Sequence, residues 1–289
     1  MLRFLFRLVA ALPLWLVHAL GAGLGSLVYW ASGSYRRTLR ENLEQAGYEP
    51  ARLAAPARRA AGRQALETPW IWMRPTPDIV SRTTVVDMDV FEAAMADGRP
   101  VLFLPPHLGC FEIMAQWYGA TQASRYGRPM TVLYRVPRKP VLRQIVAQGR
   151  EREGLVLAPA DVSGVRKLMR AMKNREILGI LPDQVPSQGE GVWAPFFGRL
   201  AYTMTLPTRL AHQFDGLIVF VWGQRLAGGA GWRLHARRLD EPLTGDPLED
   251  ATRMNRGLER LVRDKPEQYL WGYKRYKVPS GVEPPGPQP

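Results

Sequence analysis

Apolar and polar positions recur along this chain with two different periods, and each change of period marks an element. Residues 8–32 carry no charged side chain, and only Pro13 and His18 interrupt their apolar and small residues. Helices are expected next at 38–47 and 50–67. From residue 83 the pattern alternates. Residues 83–88, 100–104, 130–136, 155–158 and 177–181 read as strands, and the runs at 101–104 and 177–181 are apolar enough to be buried ones. Between them, residues from Asp89 to 96, about 109–119, 140–152, 162–173 and 204–214 read as helices, with Asp89 as a cap. A hairpin is expected from 217–224 and 232–237 around the glycine-rich turn at 228–231. Residues 247–263 close as an amphipathic helix, with Leu248, Ala251, Met254, Leu258 and Leu261 on one face.

Strands alternating with helices predict an α/β fold: a mostly parallel or mixed central sheet layered by helices, behind an N-terminal membrane-anchor helix. The chain divides into an anchor at 1–35, an α/β domain at 36–277 and a tail at 278–289. Five prolines lie in 279–289, which is read as disordered. For residues 8–32 three readings compete: a cleaved signal peptide, a core helix and a membrane anchor. The anchor is preferred, since roughly 20 apolar residues suffice to span a bilayer. Whether it spans or lies in the interface stays open. Arg3 and Arg7 before it and Arg36, Arg37 and Arg40 after it leave its orientation unfixed.

Charge changes the picture more than composition does. An apolar content of 46% over 289 residues is ordinary for a chain with a substantial core. One cysteine excludes a disulfide framework and points to a reducing compartment. The net charge of +13 implies an acidic partner: anionic lipid, a phosphorylated substrate, an acidic protein or nucleic acid. Arg138, Lys139, Arg143, Arg166, Lys167, Arg170 and Lys173 form basic faces suited to an acidic carrier protein, or simply a solvated surface. No nucleic-acid-binding motif, metal-ligand spacing, phosphate-loop glycine pattern or internal repeat is present.

The candidate chemistry centres on Pro105-Pro106-His107-Leu108-Gly109-Cys110-Phe111-Glu112, which follows the buried strand. A histidine there sits at a sheet edge, where open α/β folds bind ligands. Glu112 comes within reach of the imidazole only at a loop-to-helix junction, because five residues is a poor spacing within a helix. A carboxylate on one ring nitrogen would leave the other free to take a proton from a hydroxyl. Cys110 raises the alternative of a thiol nucleophile. Arg150 either favours a helix C-terminus or serves a site. Asp183 and Gln184, after the second buried strand, either cap a turn or serve the site. Trp193, Phe196, Phe197 and Gly198 form an aromatic loop that is either core or the wall of an apolar slot.

The segment HLGCFE, with His107 and Glu112 as His-x4-Glu, resembles the first motif of the lysophospholipid acyltransferase superfamily, and within it the bacterial lipid A late acyltransferases. Arg150 in GREREG, Asp183 in GILPDQ, Pro195-Phe196-Phe197-Gly198, the closing QYLWGYKRYK and the early RRTLRENLEQA stand in the family's order. One departure is that Cys110-Phe111 replaces the family's usual Asn-Trp.

The resemblance implies an acyltransferase of the inner membrane with its catalytic domain on the cytoplasmic side, needing no cofactor. It would move an acyl group from acyl carrier protein to a hydroxyl of a lipid A precursor in lipopolysaccharide biosynthesis. His107 would act as general base oriented by Glu112. Arg150, Asp183, Gln184, Phe196, Phe197 and Gly198 would bind substrate, and no metal or nucleic acid is expected. Another glycolipid, an aminolipid or a lysophospholipid is the alternative acceptor. A hydrolase, and a basic nucleic-acid-binding protein, are the rival classes.

Overall fold

The computed structural model describes residues 2–137 and 139–286. Four helices come first: α1 (Leu2–Ala11), α2 (Leu14–Ala31), α3 (Gly33–Gln45) and α4 (Pro50–Met73). The uncharged run is therefore two helices, broken at Pro13, whose ring removes an amide donor. The helix expected to end at 67 continues to Met73 because Trp70 and Ile71 are buried. Helix α2 lies along α4 at backbone contact distance. A Cβ on Gly25 would stand 2.0 Å from the Arg58 carbonyl, so only glycine fits there. One face of α2 is thus covered, while Trp15, Leu20, Leu27 and Trp30 on the other are exposed.

The α/β body then runs α5 (Thr76–Val80), β1 (Thr83–Val85), α6 (Met88–Ala96), β2 (Val101–Leu104), α7 (Glu112–Thr121), α8 (Ala123–Tyr126), β3 (Met130–Tyr134), α9 (Pro140–Arg150), β4 (Leu155–Pro159), α10 (Val162–Lys173) and β5 (Ile177–Gly179). It continues through β6 (Gly191–Phe196), β7 (Arg199–Met204), α11 (Leu206–Gln213), β8 (Leu217–Arg225), β9 (Trp232–Arg238) and α12 (Pro247–Asp264). Seven strands form one sheet in the order β1-β9-β8-β2-β5-β3-β4. Every neighbouring pair is parallel except β8–β9. The expected α/β fold with a mostly parallel, helix-layered sheet is what the chain adopts.

Helices cover both faces of the sheet. Leu168, Met172, Leu210 and Leu258 pack with Leu102 and Leu178 on one side. Phe91, Ile113, Trp117 and Tyr118 pack with Val101 and Phe103 on the other. The register pairs Val101 with both Ile177 and Leu217, so β2, β5 and β8 begin together, and β2 and β5 also end together, Phe103 beside Gly179. Residues 105–111 and 180–190 therefore leave the sheet side by side at its carboxyl edge, the place where such sheets bind ligands.

Two local differences from the sequence reading have clear causes. The helix after β2 begins at Glu112 rather than near 109. Gly109 holds φ +59, and the Gly109 and Cys110 amides donate to the carbonyls of Gln268 (3.0 Å) and Gly223 (2.7 Å). The aromatic loop around Phe196 is in fact the β6–β7 hairpin, turning at Phe197 (φ 47) and Gly198 (φ 74). The proline-rich end is described as far as Gly286, where the Glu283 carbonyl accepts from Trp193 Nε1 at 3.0 Å. Arg138 lies outside the described residues.

Candidate active site

His107 and Asp183 meet at the carboxyl edge of the two central strands. Asp183 Oδ1 stands 2.7 Å from His107 Nδ1, and Asp183 Oδ2 accepts the His107 amide at 2.8 Å. Both residues are buried. Burial alone would raise the Asp183 carboxyl. The imidazole and the two hydrogen bonds outweigh it and hold the group below the usual carboxylate range. An ionised Asp183 can only accept, so the proton of this bond sits on Nδ1. Nε2 is then an acceptor, and Gln184 Nε2 lies 3.2 Å from it, an arrangement in which the amide donates. Asp183 thus fixes both the backbone position and the tautomer of His107.

The Glu112 carboxylate is bonded elsewhere than to the imidazole: Arg150 grips it, with Nε 3.1 Å from Oε2 and a second short contact to Oε1. Trp72 Nε1 adds a bond of 3.2 Å to Oε2, and the Arg150 guanidinium lies 5.4 Å from the Trp72 ring centre. The reason is the junction. The left-handed turn at Gly109 delays α7, so Glu112 starts the helix facing α9 rather than the imidazole. Burial would depress Arg150, but the Glu112 carboxylate more than offsets this and holds the guanidinium charged.

Glu112 and Arg150 sit in the wall of a slot over the sheet. Its lining is otherwise almost wholly apolar, including Phe103, Met130, Val132, Leu155 and Leu157, with Gly179 in its floor. His107 is not part of that lining. Its ring contacts Phe111 (centroids 4.9 Å), and Phe111 lines the slot, so the imidazole stands one aromatic ring away. An apolar slot of this kind suits a hydrocarbon chain.

The loop that carries His107 is held from two further sides. Leu270 N–H donates to the His107 carbonyl at 3.0 Å, which makes QYLWG part of the site's support. Arg225 donates to the Gly109 carbonyl at 3.1 Å. The Arg225 guanidinium is paired with the fully buried Glu67, which also meets His18 Nε2 (2.9 Å) and Trp232 Nε1 (3.2 Å). Sequence reasoning missed this cluster. His18 had no acidic neighbour in the chain, and Glu67 is 49 positions away. Burial raises and Arg225 lowers the Glu67 carboxyl, leaving it at about 2.

The remaining candidates separate from the slot. Phe196 and Phe197 are core residues, packed against Tyr269 (6.5 Å) and Trp271 (5.8 Å), and they do not line it. Gly198 completes the hairpin turn beside them. Burial pushes the Cys110 thiol well above its ordinary value, which is unfavourable for a nucleophile. Among the described residues no group of three or more His, Cys, Asp or Glu side chains converges to hold a metal.

Sequence comparison places these residues among known proteins. The model of a family described as bacterial lipid A biosynthesis acyltransferase matches residues 2–278. The chain is similar to the lipid A biosynthesis lauroyltransferase of Escherichia coli K12, with 26% identity over 95% of this chain and 90% of that protein. It is also similar to the lipid A biosynthesis palmitoleoyltransferase of the same organism, with 25% identity over 83% of this chain and 78% of the other. A lipid A biosynthesis acyltransferase of Haemophilus influenzae is 24% identical over 70% of this chain and 61% of its own length.

Proposed function

The chain belongs to the bacterial lipid A biosynthesis acyltransferase family, and on that premise we propose that it moves an acyl group from acyl carrier protein to a hydroxyl of a lipid A precursor. The observation that carries the mechanism is the Asp183–His107 pair, with Nδ1 engaged and Nε2 held only by the Gln184 amide. The acceptor hydroxyl replaces that amide at Nε2. As its oxygen attacks the thioester carbonyl, its proton passes to Nε2, and Asp183 stabilises the imidazolium. Collapse of the tetrahedral intermediate breaks the C–S bond, and the imidazolium returns the proton to the leaving thiolate. Such a base contributes about 10²–10⁴-fold.

Glu112 and Arg150 take a different part. The apolar slot receives the acyl chain, and Arg150, kept charged and aimed by Glu112, offsets negative charge developing on the oxygen. The thioester supplies the activation, so no cofactor enters.

The exposed apolar face of α2 and the basic residues around it support a seat on the inner membrane. Because the opposite face of α2 is packed on α4, an interfacial seat fits better than a span. Anionic headgroups would meet Arg36 and Arg37. The body then lies on the cytoplasmic side, where the carrier protein is.

The test is mass spectrometry of lipids from a strain lacking the protein. A lipid A species lighter by one acyl chain is expected. A change confined to phospholipids or aminolipids would move the acceptor to that class.

A further inference from the structure

The positive charge of this chain is unevenly neutralised. On α12 the arginines are matched: Arg253 with Glu249, Arg256 with Glu241, Arg260 with Asp240 and Arg263 with Glu259. At the other end of the sheet the pattern changes. Arg166, Arg170 and Lys173 on α10, with Arg135 and Lys139 after β3, are exposed and have no acidic partner at ion-pair distance among the described residues.

The spacing of these charges is regular. Arg166, Arg170 and Lys173 recur four and three residues apart, which aligns them as one stripe along α10. The opposite face of the helix is buried through Leu168, Ala171 and Met172, so the stripe is held rigidly outward. Val136, Val156 and Val162 are exposed at the same end, giving a modest apolar centre to a basic surface. Arg135 and Lys139 follow the carboxyl end of β3, and α10 begins just after that of β4, on the edge that carries His107 and Asp183.

Resting on the thioester transfer described above, we propose that the outward face of α10, with Arg135 and Lys139, is the docking surface for the acidic protein that delivers the acyl thioester. A rigid stripe of unpaired cations complements an acidic helix laid beside it, and such complementarity governs encounter and register. A bilayer fits this face poorly, because it offers no aromatic or long aliphatic anchor. Those are on α1 and α2, where Phe4, Trp15, Leu27 and Trp30 are exposed. Near Trp15 the backbone touches Gly229 in the β8–β9 turn, at the other flank of the same sheet edge. The two substrates thus reach His107 from opposite flanks.

The test compares two donors, the same acyl group on an acidic carrier protein and on pantetheine, using the full-length protein in detergent. Arg166→Glu/Arg170→Glu is set against Arg256→Glu/Arg260→Glu, which changes net charge equally on the matched face. The α10 variant is expected to raise KM for the carrier-borne donor at least about tenfold, leaving its kcat and all transfer from acyl-pantetheine unchanged. The α12 variant should move neither KM. An unchanged carrier KM in the α10 variant overturns the proposal. So does an equal loss with acyl-pantetheine, or a parallel fall in binding to vesicles of mixed neutral and anionic phospholipid. If the wild-type protein transfers from neither donor, the reaction assignment itself fails, and the docking surface with it.

Discussion

His107 and Asp183 are 76 positions apart in the chain, yet their side chains meet at 2.7 Å where the central strands β2 and β5 end together. The sheet register brings them together, and the pairing engages Nδ1 and leaves Nε2 beside the Gln184 amide. Asp183→Asn removes the charge that fixes the tautomer while keeping the shape. It is expected to lower kcat by about 10²–10⁴-fold in protein that circular dichroism shows to be folded. Turnover within a few-fold of wild type would assign the orienting role elsewhere.

Glu112 and Arg150 should behave as one unit in stability. Removing either alone leaves its buried partner uncompensated, whereas removing both does not. In a double-mutant cycle of Glu112→Gln and Arg150→Met, read by urea unfolding, the double variant should lose less than the sum of the singles. The expected coupling is about 1–3 kcal/mol. Additive losses would mean that the contact contributes nothing.

The Glu67 cluster ties stability to pH. The folded pKa of Glu67, about 2, lies below its ordinary 4.5. Its contribution is therefore fully present above about pH 4.5 and is lost as pH falls toward 2. A shift of this size corresponds to something on the order of 3 kcal/mol. Glu67→Gln should be strongly destabilised at pH 7, and its deficit relative to wild type should shrink across that acid window. A deficit independent of pH would show that packing rather than charge sustains the cluster.

The exposed face of α2 makes a separate prediction. Trp15→Glu/Leu27→Glu is expected to weaken binding to anionic vesicles at least tenfold without changing the secondary structure seen by circular dichroism. Unchanged sedimentation with vesicles would remove α2 from the membrane contact.

Much of this fold was legible because its signals are local. The apolar runs at 101–104 and 177–181, the matching helix at 162–173 and the glycine turn between β8 and β9 all announce themselves within a few residues. Residues 191–204 were less legible, because Pro195 and the flanking glycines disguised a hairpin as a loop. In the site, spacing pointed to His107 but not to the carboxylate that meets its ring. Glu112 is close in sequence, and the turn at Gly109 aims it at Arg150. The partner Asp183 is brought in by strand register, which no local pattern encodes. The same holds for the buried ion pair of Glu67 and Arg225, 158 positions apart.

The most direct measurement is transfer by purified, folded His107→Ala, with acyl carrier protein as donor and a lipid A precursor as acceptor. Product formation is expected to fall by at least about 10²-fold relative to wild type, with binding of both substrates retained. Wild-type turnover by that variant would contradict the account.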